Sequence, residues 1–64
     1  MLVKDLQDLL QGSLYRIVDS STHDILARSW SEDVSQYSDK EVKRMDAVIR
    51  NYSNEYYPII NVFI

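Results

Sequence analysis

A chain of 64 residues without a single cysteine has to be held together by side-chain packing alone, because neither a disulfide framework nor a thiolate metal centre is open to it. At this length a folded chain buries only about 60% of the surface its unfolded form exposes. Every apolar face the sequence can build must therefore be used, and one domain over 1–64 is the most it can form. The lack of cysteine also fits a reducing interior, so a cytoplasmic location is expected. The opening Met1-Leu2-Val3-Lys4-Asp5-Leu6 carries acids at Asp5 and Asp8 in place of the long apolar run of a targeting segment. Nothing approaches the roughly 20 apolar residues of a membrane span, and no membrane partner is expected.

Leu2, Val3, Leu6, Leu9 and Leu10 recur at helical spacing with polar residues between them, which predicts an amphipathic helix over residues 2–11. Gly12, the only glycine, stands where a left-handed C-terminal cap belongs. Residues 14–19 and 24–30 read as two strands joined by the polar turn Ser20-Ser21-Thr22-His23. Ser29-x-x-Glu32 has the form of a capping box and predicts a short helical turn within 31–37. Residues 39–52 admit two readings. Val42, Met45, Val48, Ile49 and Tyr52 fit a helical period behind Ser38-x-x-Glu41, whereas Met45, Ala47 and Ile49 alternate with Arg44, Asp46 and Arg50 as a strand would, with 51–55 as a five-residue hairpin loop. Residues 56–64 are β-branched and aromatic and read as a last strand, with Pro58 near its start.

With the strand reading at 42–50, the fold class is α+β: an N-terminal helix packed on a small antiparallel sheet, in the order α-β-β-short α-β-β. Alternation then sorts the side chains. Tyr15, Ile17, Ile25, Ala27, Met45, Ala47, Ile49, Ile60, Val62 and Ile64 fall on the face towards the helix, which is the one-sided pattern of an antiparallel sheet. The opposite face takes Leu14, Arg16, Val18, Leu26, Arg28, Trp30, Arg44, Asp46, Val48, Arg50, Tyr57, Ile59, Asn61 and Phe63. That face is too apolar for plain solvent, so Trp30, Ile59 and Phe63 should either lie under the 31–41 connection or meet another chain. Trp, Tyr and Arg are the residue types enriched at interface hot spots. Trp30, Tyr57, Ile59 and Phe63, framed by Arg16 and Arg28, are accordingly the candidate partner interface, with a homodimer as the simplest assembly.

Chemistry is thinly represented. One histidine and no cysteine leave only Asp19, His23 and Asp24 as a close set of metal-binding residue types, and these are ordinary turn residues, so no metal site is expected. Ser20 or Ser21 beside His23 and Asp24 cannot align as a hydrolase triad within one turn. A single glycine excludes the phosphate-cradling loops, and no cofactor is expected. No catalytic residue is assigned, and the chain reads as a non-enzyme. Ten acids against seven bases give a net charge of −3, which disfavours binding that depends on neutralising phosphates. The basic residues Lys40, Lys43, Arg44 and Arg50 are interleaved with Asp39, Glu41 and Asp46, so direct nucleic-acid binding is not expected.

The order of features, an opening V-K-D-L-x-x-L-L, a strand ending in I-V-D, a second strand, a polar crossing, Y-S-D-K-E-V and a terminal I-I-N-V-F-I, resembles small phage- and prophage-encoded proteins of Gram-positive bacteria. In such proteins a leucine-rich first helix precedes a hairpin and a Y-x-D-x-E-V stretch leads into a strand. The matching residues are Tyr37, Asp39, Glu41 and Val42. The resemblance implies strand at 42–50 and a bacterial host cytoplasm, and it carries over no functional residues. In size and charge the chain also resembles small acidic anti-CRISPR proteins. That likeness implies an alternative function, inhibition of a host defence or nucleic-acid-handling protein. Asp5, Asp8, Glu32, Asp33 and Asp39 would then mimic phosphates in a basic channel. The first expectation remains a non-catalytic protein–protein interaction module, meeting itself or a host protein through the Arg/aromatic face.

Overall fold

The apolar spacing at the N-terminus produces a helix, but a short one. The computed structural model, which describes all of residues 1–64, has α1 at Val3–Gln7, β1 at Tyr15–Val18, β2 at Ile25–Arg28, a 3-10 turn at Ser35–Tyr37, β3 at Arg44–Tyr52 and β4 at Glu55–Phe63. A ten-residue helix is marginal without packing partners, and only the docked part of 2–11 keeps regular α geometry. Asp5 accepts the Leu2 N–H at 2.9 Å. The N–H groups of Val3 and Lys4 donate to the carbonyls of Lys40 and Ser38 at 2.9 and 3.0 Å, so the crossing segment caps the helix. Past Gln7 the chain continues in turns, with Leu10 N–H still bonded to Leu6 C=O at 2.8 Å. Val3, Leu6 and Leu10 are buried, whereas Leu9 faces water at 76% exposure. Gly12 takes φ +84° with nothing near the position a Cβ would occupy. Glycine is needed there for the backbone conformation and not for space.

The four strands form one sheet in the order β2-β1-β4-β3. β1 pairs antiparallel with β2, β4 pairs antiparallel with β3, and the central neighbours β1 and β4 run parallel. The sheet is therefore mixed, not antiparallel as the sequence reading had it. The crossing from β2 to β3 carries the chain over the helix side and returns it at the far edge, which leaves β4 to enter beside β1 in the same direction. Residues 44–52 are strand, so the alternation prevails over the helical period. The hairpin turns at Ser53 and Asn54, with φ +51° and +66°, in a two-residue loop closed by the Tyr52–Glu55 pair. Positive φ at both central residues is the type I′ geometry whose twist matches that of the strands. The expected five-residue loop is replaced by two longer strands.

Pairing registers place Tyr15, Ile17, Ala27, Ile60 and Val62 together towards α1. Val34, Tyr37 and Val42 pack on the same side, so the 31–41 connection covers the helix face and not the outer one. The expected capping boxes do not form as such. Ser29 Oγ accepts the Tyr15 N–H at 3.1 Å, and Ser38 Oγ donates to Gln7 at 3.3 Å. Two parity assignments are reversed, those of Ile25 and Leu26. The register between β1 and β2 shifts at Ile17/Val18, so Ile25 comes opposite Val18 on the outer face while Leu26 packs against the core on the inner one. A bulge inserts one residue and flips everything beyond it.

Met45, Ala47 and Ile49 have the inner parity but stay exposed, Ile49 at 72%. The reason is length. Five helical residues span about 7.5 Å, and a nine-residue strand about 30 Å, so the β3–β4 hairpin outruns its cover. The overall extents of 36 × 25 × 18 Å reflect that projecting ribbon. No helix of the chain is long and apolar enough to cross a membrane.

Candidate functional site

The outer face divides into three zones. At its centre, Arg16 Nε donates to Asn61 Oδ1, Asn61 Nδ2 donates to Asp46 Oδ1 at 2.8 Å, and Arg44 pairs with the other Asp46 oxygen at 3.5 Å. Registers Arg16↔Asn61 and Asp46↔Asn61 set these groups in one row across β1, β4 and β3. Asn61 is only 6% exposed, and no buried side-chain N or O atom lacks a partner. The row therefore meets the requirement that buried polar groups be hydrogen-bonded.

Beside this row, Phe63 and Val18 are closed over, at 6% and 4% exposure. Arg44 lies with its guanidinium carbon 3.8 Å from the Phe63 ring centre, a cation–π contact. His23 packs edge-on to the same ring at 6.0 Å. His23 itself is exposed and lies over the edge of the buried Phe63 ring. Asp19 spends its carboxylate on the N–H groups of Ser21 and Thr22, at 2.7 and 3.0 Å. Those bonds hold the Asp19 carboxyl below its ordinary range.

The third zone is an apolar cleft of about 320 Å³ lined by Leu14, Trp30, Tyr52, Tyr57 and Ile59. Each wall has a local cause. Leu14 precedes β1, and its carbonyl accepts Ile60 N–H at 3.0 Å. Trp30 is thrown back over the face by the turn after β2, where Glu32 N–H bonds Arg28 C=O at 2.9 Å and the Glu32 carboxylate pairs with Arg28 at 3.1 Å. Tyr52 and Tyr57 come from opposite strands of the hairpin, ring centres 6.3 Å apart at 48°. The Tyr57 hydroxyl donates to Glu55, which pushes its pKa up. Ile59 is the floor, at 0% exposure. Trp30, Tyr52 and Tyr57 remain 42%, 52% and 37% exposed.

Of the six residues singled out from the sequence, the cleft brings together Trp30, Tyr57 and Ile59. Ile59 and Phe63 are sealed within the chain and offer no surface of their own. Arg16 is tied to Asn61, and Arg28 to Glu32, so neither arginine stands free as a frame. Leu14 and Tyr52 were not among the six. Tyr52 falls within the expected 51–55 loop, whereas a two-residue turn at Ser53-Asn54 puts it on the outer parity of β3.

The acids of the alternative reading are largely engaged locally. Asp5 caps α1, Glu32 pairs with Arg28, Asp33 accepts from the Ser35 N–H and hydroxyl at 2.9 and 2.6 Å, and Asp39 lies 3.8 Å from Lys4. Asp8 is the residue that ends α1. Comparison with protein-family models, with curated proteins and with solved structures finds no match for this chain.

Proposed function

We propose that this chain is a non-catalytic protein-interaction module, of the kind phage and prophage genomes encode, and that it self-associates through its outer sheet face. The observation that carries the reading is the cleft of Leu14, Trp30, Tyr52 and Tyr57 over a buried Ile59. A chain with so little apolar surface to bury leaves three of its largest aromatic side chains half in water. Such clusters mark contact surfaces, and Trp and Tyr are the residues on which binding energy concentrates. Tyr57 and Trp30 can each fill a pocket while keeping a polar atom for hydrogen bonding. The phosphate-mimic alternative draws less support, because four of its five acids already serve capping, turn or ion-pair roles within the chain.

Sedimentation equilibrium at micromolar concentrations, in low and high salt, tests the reading. A dimerising chain is expected, with Trp30→Ala and Tyr57→Thr each weakening association by more than about 1 kcal/mol, or roughly fivefold in Kd, while circular dichroism stays that of the wild type. A strict monomer, or folded variants that associate like the wild type, overturns it.

A further inference from the structure

The hairpin gives the sheet a second surface that the cleft does not use. β3 is an edge strand of nine residues, without proline or bulge along its length. Long regular edges are unusual in soluble proteins, because their open N–H and C=O groups pair with other strands. The opposite edge, β2, has four residues and a bulge.

The phase of the open groups follows from the hydrogen bonds. Ile60 and Ile64 donate to the carbonyls of Leu14 and Val18, so even-numbered residues of β4 point their N–H groups away from β3 and odd-numbered ones towards it. The odd residues Tyr57, Ile59 and Asn61 are opposite Arg50, Val48 and Asp46, which makes those the hydrogen-bonded pairs. The backbone groups of Met45, Ala47, Ile49 and Asn51 are left facing outward.

We propose that β3 pairs antiparallel with β3 of a second copy, about a two-fold axis at Val48, extending the sheet to eight strands. The inference goes beyond the face contact and does not depend on what fills the cleft. Charge selects the register. With the axis at Val48, Asp46 faces Arg50 of the other copy twice over, and Arg50 makes no ion pair within its own chain. With the axis at Ala47, Arg44 faces Arg50; at Asp46 or Arg50, like charges face themselves; at Ile49, neither ion pair forms. Opposite charges across strands stabilise and like charges destabilise. The Val48 register also matches outward groups to outward groups, Ala47 to Ile49 and Met45 to Asn51, for about eight backbone hydrogen bonds. It lays the exposed Ile49 side chain beside Ala47 of the second copy, giving apolar surface beyond the reach of α1 a cover.

A chain without cysteine is well suited to the test. In the proposed register Val48 is opposite itself in a non-hydrogen-bonded pair, with Cα atoms about 4.5 Å apart, inside disulfide range. Residue 47 would sit about 8–9 Å from its copy, given an offset of two residues, which is outside that range. Under a glutathione redox buffer, Val48→Cys should cross-link as a dimer, and Ala47→Cys and Ile49→Cys should cross-link little. In a second arm, run on the Trp30→Ala background so that the face contact is absent, Arg50→Asp should separate the copies, and mixing it with Asp46→Arg should restore a mixed dimer, since both ion pairs re-form only between the two variants. Cross-linking that is equal at all three positions, or absent at Val48, overturns the edge contact, as does a mixture that stays monomeric when both variants are folded. The face reading fails separately. Trp30→Ala leaves Val48→Cys cross-linking unchanged if the edge contact is right, and abolishes it if the face is the only contact.

Discussion

Ile59 is the residue that decides whether this molecule has one apolar layer or two. It points away from α1, on a face that an antiparallel pattern would leave to solvent, yet it is at 0% exposure beneath Leu14, Trp30 and Tyr57. Truncating a fully buried isoleucine to alanine costs about 2–5 kcal/mol, from lost transfer energy and the cavity left behind. Domains carry roughly 0.05–0.15 kcal/mol of stability per residue, hence about 3–10 kcal/mol for a chain of this length. Ile59→Ala should then remove about a fifth or more of the total, and Ile59→Val about 0.5–1.5 kcal/mol. With a urea slope near 1 kcal/mol/M for so small a chain, the Ile59→Ala midpoint should fall by about 2 M or more. The assay is urea denaturation followed by fluorescence of Trp30, the only tryptophan, which lines the same cleft. Measurements at two protein concentrations separate folding from association. Ile17→Ala, at an equally buried position facing α1, provides the scale. If Ile59→Ala unfolds within about 1 kcal/mol of the wild type while Ile17→Ala does not, the outer layer is not a core and the cleft has no rigid floor.

Two further outcomes are expected. Ser53→Asn with Asn54→Gly, which supplies the sequence preferred at positive φ, should raise stability by up to about 1 kcal/mol in the same urea assay, and an unchanged or lowered midpoint would contradict the type I′ turn. Asp19 and Asp33 both have carboxyls depressed below the ordinary value of 3.8 by backbone and hydroxyl donors. Because the folded-state values lie below the unfolded ones, their contribution is complete above about pH 4 and is lost as pH falls through the folded values. The double variant Asp19→Asn, Asp33→Asn should therefore lose less stability than the wild type on acidification below pH 4, and parallel curves would show that these turns do not govern acid sensitivity.

The sequence by itself determined the alternation within the strands and, outside the β1–β2 bulge, the face most strand residues take. Period-two patterning is a local property of strands, so the inner placement of Tyr15, Ile17, Ala27, Ile60 and Val62 and the outer placement of Trp30, Tyr57 and Ile59 could be read from spacing alone. The left-handed backbone at Gly12 was legible for the same reason, since it is a one-residue requirement, but its role as helix cap was not: α1 ends at Gln7 with Asp8 as its C-cap, and Gly12 closes the turns that follow. Tertiary structure decided what lay between elements. The parallel entry of β4 beside β1 depends on where the 31–41 connection crosses, and that route is fixed by backbone bonds from Val3 and Lys4 to Lys40 and Ser38, pairs far apart in the chain. The bulge that exchanges Ile25 and Leu26 is invisible to a pattern that assumes unbroken register. Burial was the least legible property of all. Whether an outer side chain is a floor, like Ile59, or a wall, like Trp30, depends on which side chains from the other strands converge above it, and no local spacing encodes that convergence.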